Sequence, residues 1–138
     1  MIAVDTGYFY ALADASDRHH ATALEWQNSI SEGWITTWPV LTETCHLLAR
    51  RLAPQAAADL MRDVSEGAIQ VWSPAPAALI QIPALMKRYA RLPMDLADAS
   101  LVLLTEHLGH GRILTTDQRD FGAYRWKNRK PFQNLMTT

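Results

Sequence analysis

The apolar residues of this chain change their spacing several times, and each change predicts an element. Ile2-Ala3-Val4 is a short continuous apolar run, as expected of a strand buried on both faces of a parallel sheet; it ends at Asp5-Thr6-Gly7, and helical spacing then runs through Tyr8–Ala13. Residues 14–20 are polar and read as a loop, leading to a helix over roughly residues 21–31 with Asp17 as its N-cap. Residues 34–37 predict a second strand, and Pro39 opens a helix whose stripe runs through Val40, Glu43, Leu47 and Leu48. Pro54-Gln55 starts a helix through Glu66 that Gly67 stops; residues 69–72 are a third strand; residues 76–91 are a further helix in which Pro83 imposes a kink or a late start.

The stretch from Leu92 to His107 organises the rest. It reads as a helix entered through Pro93, with Asp95 at the N-cap and Asp98 three residues on. Because apolar residues occur nearly all the way round it, most of its sides should be buried, which aligns Asp98 with Leu101, Val102 and Thr105. Asp95 and Asp98 have capping-box spacing, and capping suffices for Asp95; an ionised Asp98 facing inward must be paired, hydrogen-bonded or metal-bound. Gly109–Gly111 then turns the chain into a fourth strand, residues 112–116, ending at Asp117, and a last strand is expected near residues 132–136. Alternating strands and helices predict an α/β fold with a largely parallel sheet, and 138 residues suit a single domain over residues 1–138.

Composition narrows the chemistry. With 49% hydrophobic and 20% charged residues the chain is an ordinary globular one, and a formal charge of −1 gives no global attraction to nucleic acid, so any such binding needs a local basic patch. The single Cys45 forms no internal disulfide, and beside His46 it reads as core packing, not as half of a zinc site. His19 and His20 lie in the polar loop and receive no catalytic role. The amino terminus reaches an acid at Asp5 without a basic leader segment, and no apolar run is long enough to span a membrane, so a cytoplasmic location is expected.

Asp5 and Asp117 end strands, Asp98 starts a buried helix, and Glu43 lies on an inner stripe. If the two strands are neighbours, their carboxyl ends bring these acids to one crevice. Two unit charges about 4 Å apart repel by roughly 4 kcal/mol at an effective dielectric of about 20, so four carboxylates gather only around cations. Oxygen ligands without Cys or His select Mg²⁺, with Mn²⁺ as a substitute, and such a cation suits phosphoryl chemistry.

The segments IAVDTG, TWPVLTE, MDLADAS and ILTTDQRDF, in this order, resemble the PIN-domain ribonucleases, and more narrowly the VapC-like toxins of type II toxin–antitoxin pairs, over essentially the whole chain. The resemblance implies a three-layer α/β/α sandwich with about five strands. It also implies a catalytic and metal-binding set of Asp5, Glu43, Asp98 and Asp117, supported by Thr6, Asp95, Thr115 and Asp120. The implied activity is Mg²⁺-dependent endoribonuclease cleavage, with RNA as substrate, an antitoxin protein as partner and a homodimer as assembly. Arg119, Arg125 and Lys127 are candidates for RNA phosphate contacts, and the basic tail should make binding salt-sensitive. Trp38 and Trp126 could stack on a base, although packing is favoured for both. The alternatives are a housekeeping RNA-processing nuclease of the same fold and an inactive binding protein. An aspartyl-phosphate mechanism on Asp5 is disfavoured, because Gly7 stands where such enzymes commonly carry a second aspartate.

Overall fold

The computed structural model describes residues 1–137. In chain order the strands and α-helices are β1 (Ile2–Val4), α1 (Thr6–Ala13), α2 (His20–Ser29), β2 (Trp34–Thr37), α3 (Trp38–Arg51), α4 (Pro54–Ser65), β3 (Ile69–Trp72), α5 (Gln81–Arg88), α6 (Leu96–Leu108), β4 (Arg112–Leu114), α7 (Gln118–Ala123), β5 (Arg125–Trp126), β6 (Lys130–Pro131) and β7 (Gln133–Asn134). Five strands form one sheet in the order β3-β2-β1-β4-β7, and every pairing in it is parallel. Helices flank this sheet, as the α/β sandwich expectation requires.

The central position of β1 explains its composition. Ile2, Ala3 and Val4 are no more than 1% exposed, so no polar side chain is tolerated there until the chain leaves the sheet at Asp5. The order of strands places the ends of β2, β1 and β4 side by side, with β1 as the point from which the chain crosses in both directions. Helix α6 packs against β1, β2, α3 and α5. Its Leu101, Val102 and Leu104 are fully buried, each adding about 2 kcal/mol of burial. The helix ends at Gly109, whose φ of 79° is the left-handed value that glycine adopts without strain.

Several elements differ from the sequence expectation. Asp17 is not the N-cap of the second helix: that position is His19, and the Asp17 carboxylate instead accepts the His19 N–H at 2.8 Å inside the preceding loop. Pro83 gives a late start, because residues Pro76–Ile80 form a 3-10 turn and α5 begins only at Gln81, leaving the proline in the first helical turn. The tail holds a small antiparallel hairpin, β5 with β6, before the expected last strand, β7, which pairs with β4. Lys127 and Asn128 make that hairpin's turn with positive φ values of 47° and 65°.

Candidate active site

Asp5 is the first residue past β1, and there its side chain has two duties. One carboxylate oxygen, Oδ1, accepts the Thr6 N–H at 2.8 Å and so caps α1; the other, Oδ2, accepts the Thr115 hydroxyl at 2.7 Å. The residue is only 7% exposed. Burial pushes its carboxyl up to about 6, with smaller upward pushes from Glu43 and Asp117, while the hydrogen bonds from Thr115 and Thr6 hold it down. Gly7 permits this geometry, because a Cβ at that position would collide with the Thr116 side chain from the end of β4.

Thr115 links two strands' worth of chemistry. Fully buried, it donates its hydroxyl proton to Asp5 and accepts the Asp117 N–H on the same oxygen at 3.0 Å. Asp117 in turn caps α7 by accepting the Asp120 N–H at 3.0 Å. Asp120 titrates above the usual carboxylate range, first through burial and then through the Asp117 charge.

Asp98 approaches from α6. Asp95 accepts the Asp98 N–H at 2.8 Å and the Asp98 carboxylate accepts the Asp95 N–H at 3.3 Å, a complete capping box. Burial pushes the Asp98 carboxyl up to about 8, followed by the charges of Asp95 and Asp5. Its remaining partner is Tyr124, a fully buried phenol whose hydroxyl lies 2.9 Å from the Leu92 carbonyl and 3.2 Å from Asp98 Oδ2. Nothing in the sequence marked Tyr124: it lies between α7 and β5, and only the packing of that corner against α6 brings it to the acid.

Glu43 corrects one expectation. The face that α3 turns inward carries Val40, Leu41, Thr44 and Leu48, so the buried polar position is Thr44, and Glu43 stands exposed at the rim of the crevice. The Thr44 hydroxyl reaches the Val40 carbonyl at 2.7 Å and the Thr6 hydroxyl at 3.2 Å, and Thr6 bonds the same carbonyl at 3.3 Å. Those bonds join α3 to α1 directly behind Asp5. Partial burial and the Asp95 charge nevertheless raise the Glu43 carboxyl.

Asp5, Glu43, Asp98 and Asp120 thus each feel the charge of at least one other acid of the set, which with Asp95 and Asp117 comes from four separate places in the fold. Among the described residues none of Asp5, Glu43, Asp98 or Asp117 forms an ion pair with a Lys or Arg, and the nearest compensation is Arg119, 3.9 Å from Asp120. Among the described residues no three or more His, Cys, Asp or Glu side chains stand close enough together to hold a metal ion as they are placed. The donors are carboxylate oxygens with threonine hydroxyls behind them, a set suited to a hard divalent cation. The basic candidates differ in what they do. Arg119 is 80% exposed at the side chain and free to reach outward; Arg125 donates to the Gly122, Ala123 and Tyr124 carbonyls; Lys127 lies over the Trp126 ring.

The parallel sheet thus carries Asp5 directly after β1 and Asp117 at the start of α7, three residues past β4, with Asp98 in the first turn of α6, none of them ion-paired to Lys or Arg among the described residues. The PIN domain profile matches residues 2–127, and the chain belongs to that family. It is 28% identical over 122 residues to Ribonuclease VapC26 of Mycobacterium tuberculosis (strain ATCC 25618 / H37Rv), covering 88% of this chain and 90% of that protein. The crystal structure of VapC20 from Mycobacterium tuberculosis, described as a sarcin-ricin loop cleaving toxin, superposes with a TM-score of 0.79 at 24% identity, covering 87% of this chain and 92% of that one. That likeness establishes the fold. No helix among the described residues is long and apolar enough to cross a membrane.

Proposed function

We propose that this protein is a Mg²⁺-dependent endoribonuclease that hydrolyses RNA phosphodiester bonds and acts as the toxin of a toxin–antitoxin pair. What supports the reading is that Asp117 acts electrostatically on Asp5 and Asp5 on Asp98, while none of the three forms an ion pair with Lys or Arg among the described residues. Such a cluster costs stability in the free protein and is relieved by a divalent cation. The relative named as a ribonuclease supports the choice of RNA as substrate.

Asp5, Asp98 and Asp117 would hold the cation, with Mn²⁺ able to replace Mg²⁺. When bound, it supplies neutralising charge and Lewis acidity to the scissile phosphate. Thr115 holds the Asp5 carboxylate in one orientation and ties it to the Asp117 backbone, so the two acids move together. Tyr124 and the capping box do the same for Asp98. Glu43, at the rim, would orient an attacking water and accept its proton. Arg119 is the side chain best placed to meet a flanking phosphate.

An antitoxin protein, a cytoplasmic setting and a homodimer belong to the same proposal; light scattering reads the last of these. The decisive experiment is cleavage of total RNA by the purified protein with Mg²⁺ and with chelator, in the wild type and in Asp5→Asn. Cleavage that needs both the cation and Asp5 is expected. Cation-independent cleavage, or full activity in Asp5→Asn, refutes the reading, and a folded protein that cleaves no RNA favours an inactive binding protein of the same fold.

A further inference from the structure

Trp38 departs from the packing role expected of it. Pro39 sits in the first turn of α3, so the helix starts at Trp38, directly beyond the end of β2, and the indole is left 51% exposed. It is the only one of the five tryptophans that is exposed; Trp126, by contrast, is buried, with its ring N–H on the Pro131 carbonyl. Trp38 lines a cavity of about 640 Å³ together with Glu43, His46, Asp95 and Leu96. The cavity therefore shares Glu43 and Asp95 with the candidate active site, and Trp38 is part of its lining.

The other flank of the site is basic. A second cavity, of about 270 Å³, is lined by Arg18, His19, Thr116, Asp117, Gln118 and Arg119. The strand order fixes the arrangement along the edge of the sheet: Trp38 follows β2, Asp5 follows β1 in the middle, and Asp117 with Arg119 follows β4. An aromatic face, a cluster of acids and a pair of guanidiniums thus succeed one another. A nucleic-acid strand matches that series, with a base on the indole, a phosphate at the acids and the next phosphate at the arginines. A basic peptide would be drawn to the acids but repelled by Arg18 and Arg119.

We propose that the Trp38 cavity is a nucleobase subsite, which takes an unpaired base of the RNA by stacking while Arg18 and Arg119 hold the neighbouring phosphate. The proposal rests on the ribonuclease reading and adds to it a requirement for single-stranded substrate at the cut. A duplex keeps its bases stacked on one another and cannot offer a free face to Trp38.

The test measures binding of a fluorescently labelled single-stranded oligoribonucleotide by anisotropy in an Asp5→Asn background, which leaves the strand uncut, and cleavage of the same strand with Mg²⁺ in the native background. Trp38→Ala is expected to weaken binding and lower kcat/KM by about tenfold, Trp38→Phe to retain both within about threefold, and neither to alter binding of the matching duplex. The salt dependence of binding should be unchanged in Trp38→Ala and shallower by about one unit of log–log slope in Arg119→Gln. Unchanged binding and cleavage in Trp38→Ala, equal losses on single strand and duplex, or loss only of a protein partner's binding would overturn the subsite while leaving the nuclease intact. Absence of both binding and cleavage in proteins carrying Trp38 would overturn both.

Discussion

Asp98→Asn isolates the electrostatic cost of the acidic cluster. Burial and the charges of Asp95 and Asp5 lift the Asp98 carboxyl from 3.8 to about 8. A carboxyl raised in the folded state is held protonated there, so it costs nothing below its unfolded pKa. The cost grows as pH climbs from about 4 to about 8 and is complete above that. Each pKa unit corresponds to about 1.4 kcal/mol, and after screening by water on the open side of the group about 2 kcal/mol remains at about pH 8. Asparagine removes the charge but keeps an oxygen for the Asp95 N–H and the Tyr124 hydroxyl, so the capping box and the packing survive. By thermal melting without divalent cations, the variant should melt roughly 6 °C above the wild type at about pH 8, and within about a degree of it at about pH 4. Added Mg²⁺ should close the gap by stabilising the wild type alone. An equal difference at both pH values, or none at about pH 8, would refute the idea that the acids strain one another.

Three other substitutions, with Gly122→Ala as a control, probe the supports of the site. Thr115→Val removes the hydroxyl shared by Asp5 and the Asp117 N–H and should cost about 1–3 kcal/mol in urea denaturation, with a fall in cleavage beyond what unfolding explains. Gly7→Ala drives a methyl into Thr116 and should cost about 1–3 kcal/mol, whereas Gly122→Ala, with nothing near its Cβ position, should be neutral or slightly stabilising; thermal melts compare the two. Tyr124→Phe should cost about 1–2 kcal/mol and weaken divalent-cation binding severalfold by calorimetry, because Asp98 loses the phenol that orients it.

Much of this architecture was legible in the chain because it follows from simple exclusions. A strand covered on both faces admits only residues such as Ile2-Ala3-Val4, and the Asp95 capping box is written in three-residue spacing. What the chain did not disclose depends on rotation and on distant contacts. Spacing alone puts Glu43 on the apolar stripe of α3, but the helix turns Thr44 inward, where its hydroxyl bonds the Val40 carbonyl one turn back. Trp38 reads as core by residue type, yet a helix that begins at the sheet edge leaves its first residue outside. Tyr124 meets Asp98 from 26 positions away, and no local pattern encodes that meeting.

The claim on which everything else depends is that acids from separate elements act as one cation site. Titration of Mn²⁺ into the wild type, Asp5→Asn, Asp98→Asn and Asp117→Asn by calorimetry measures it directly. Saturable binding in the wild type, weakened at least about tenfold in each variant, is the expected result. Wild-type affinity in all three variants would mean that these carboxylates do not share a cation, and the site described here would not exist.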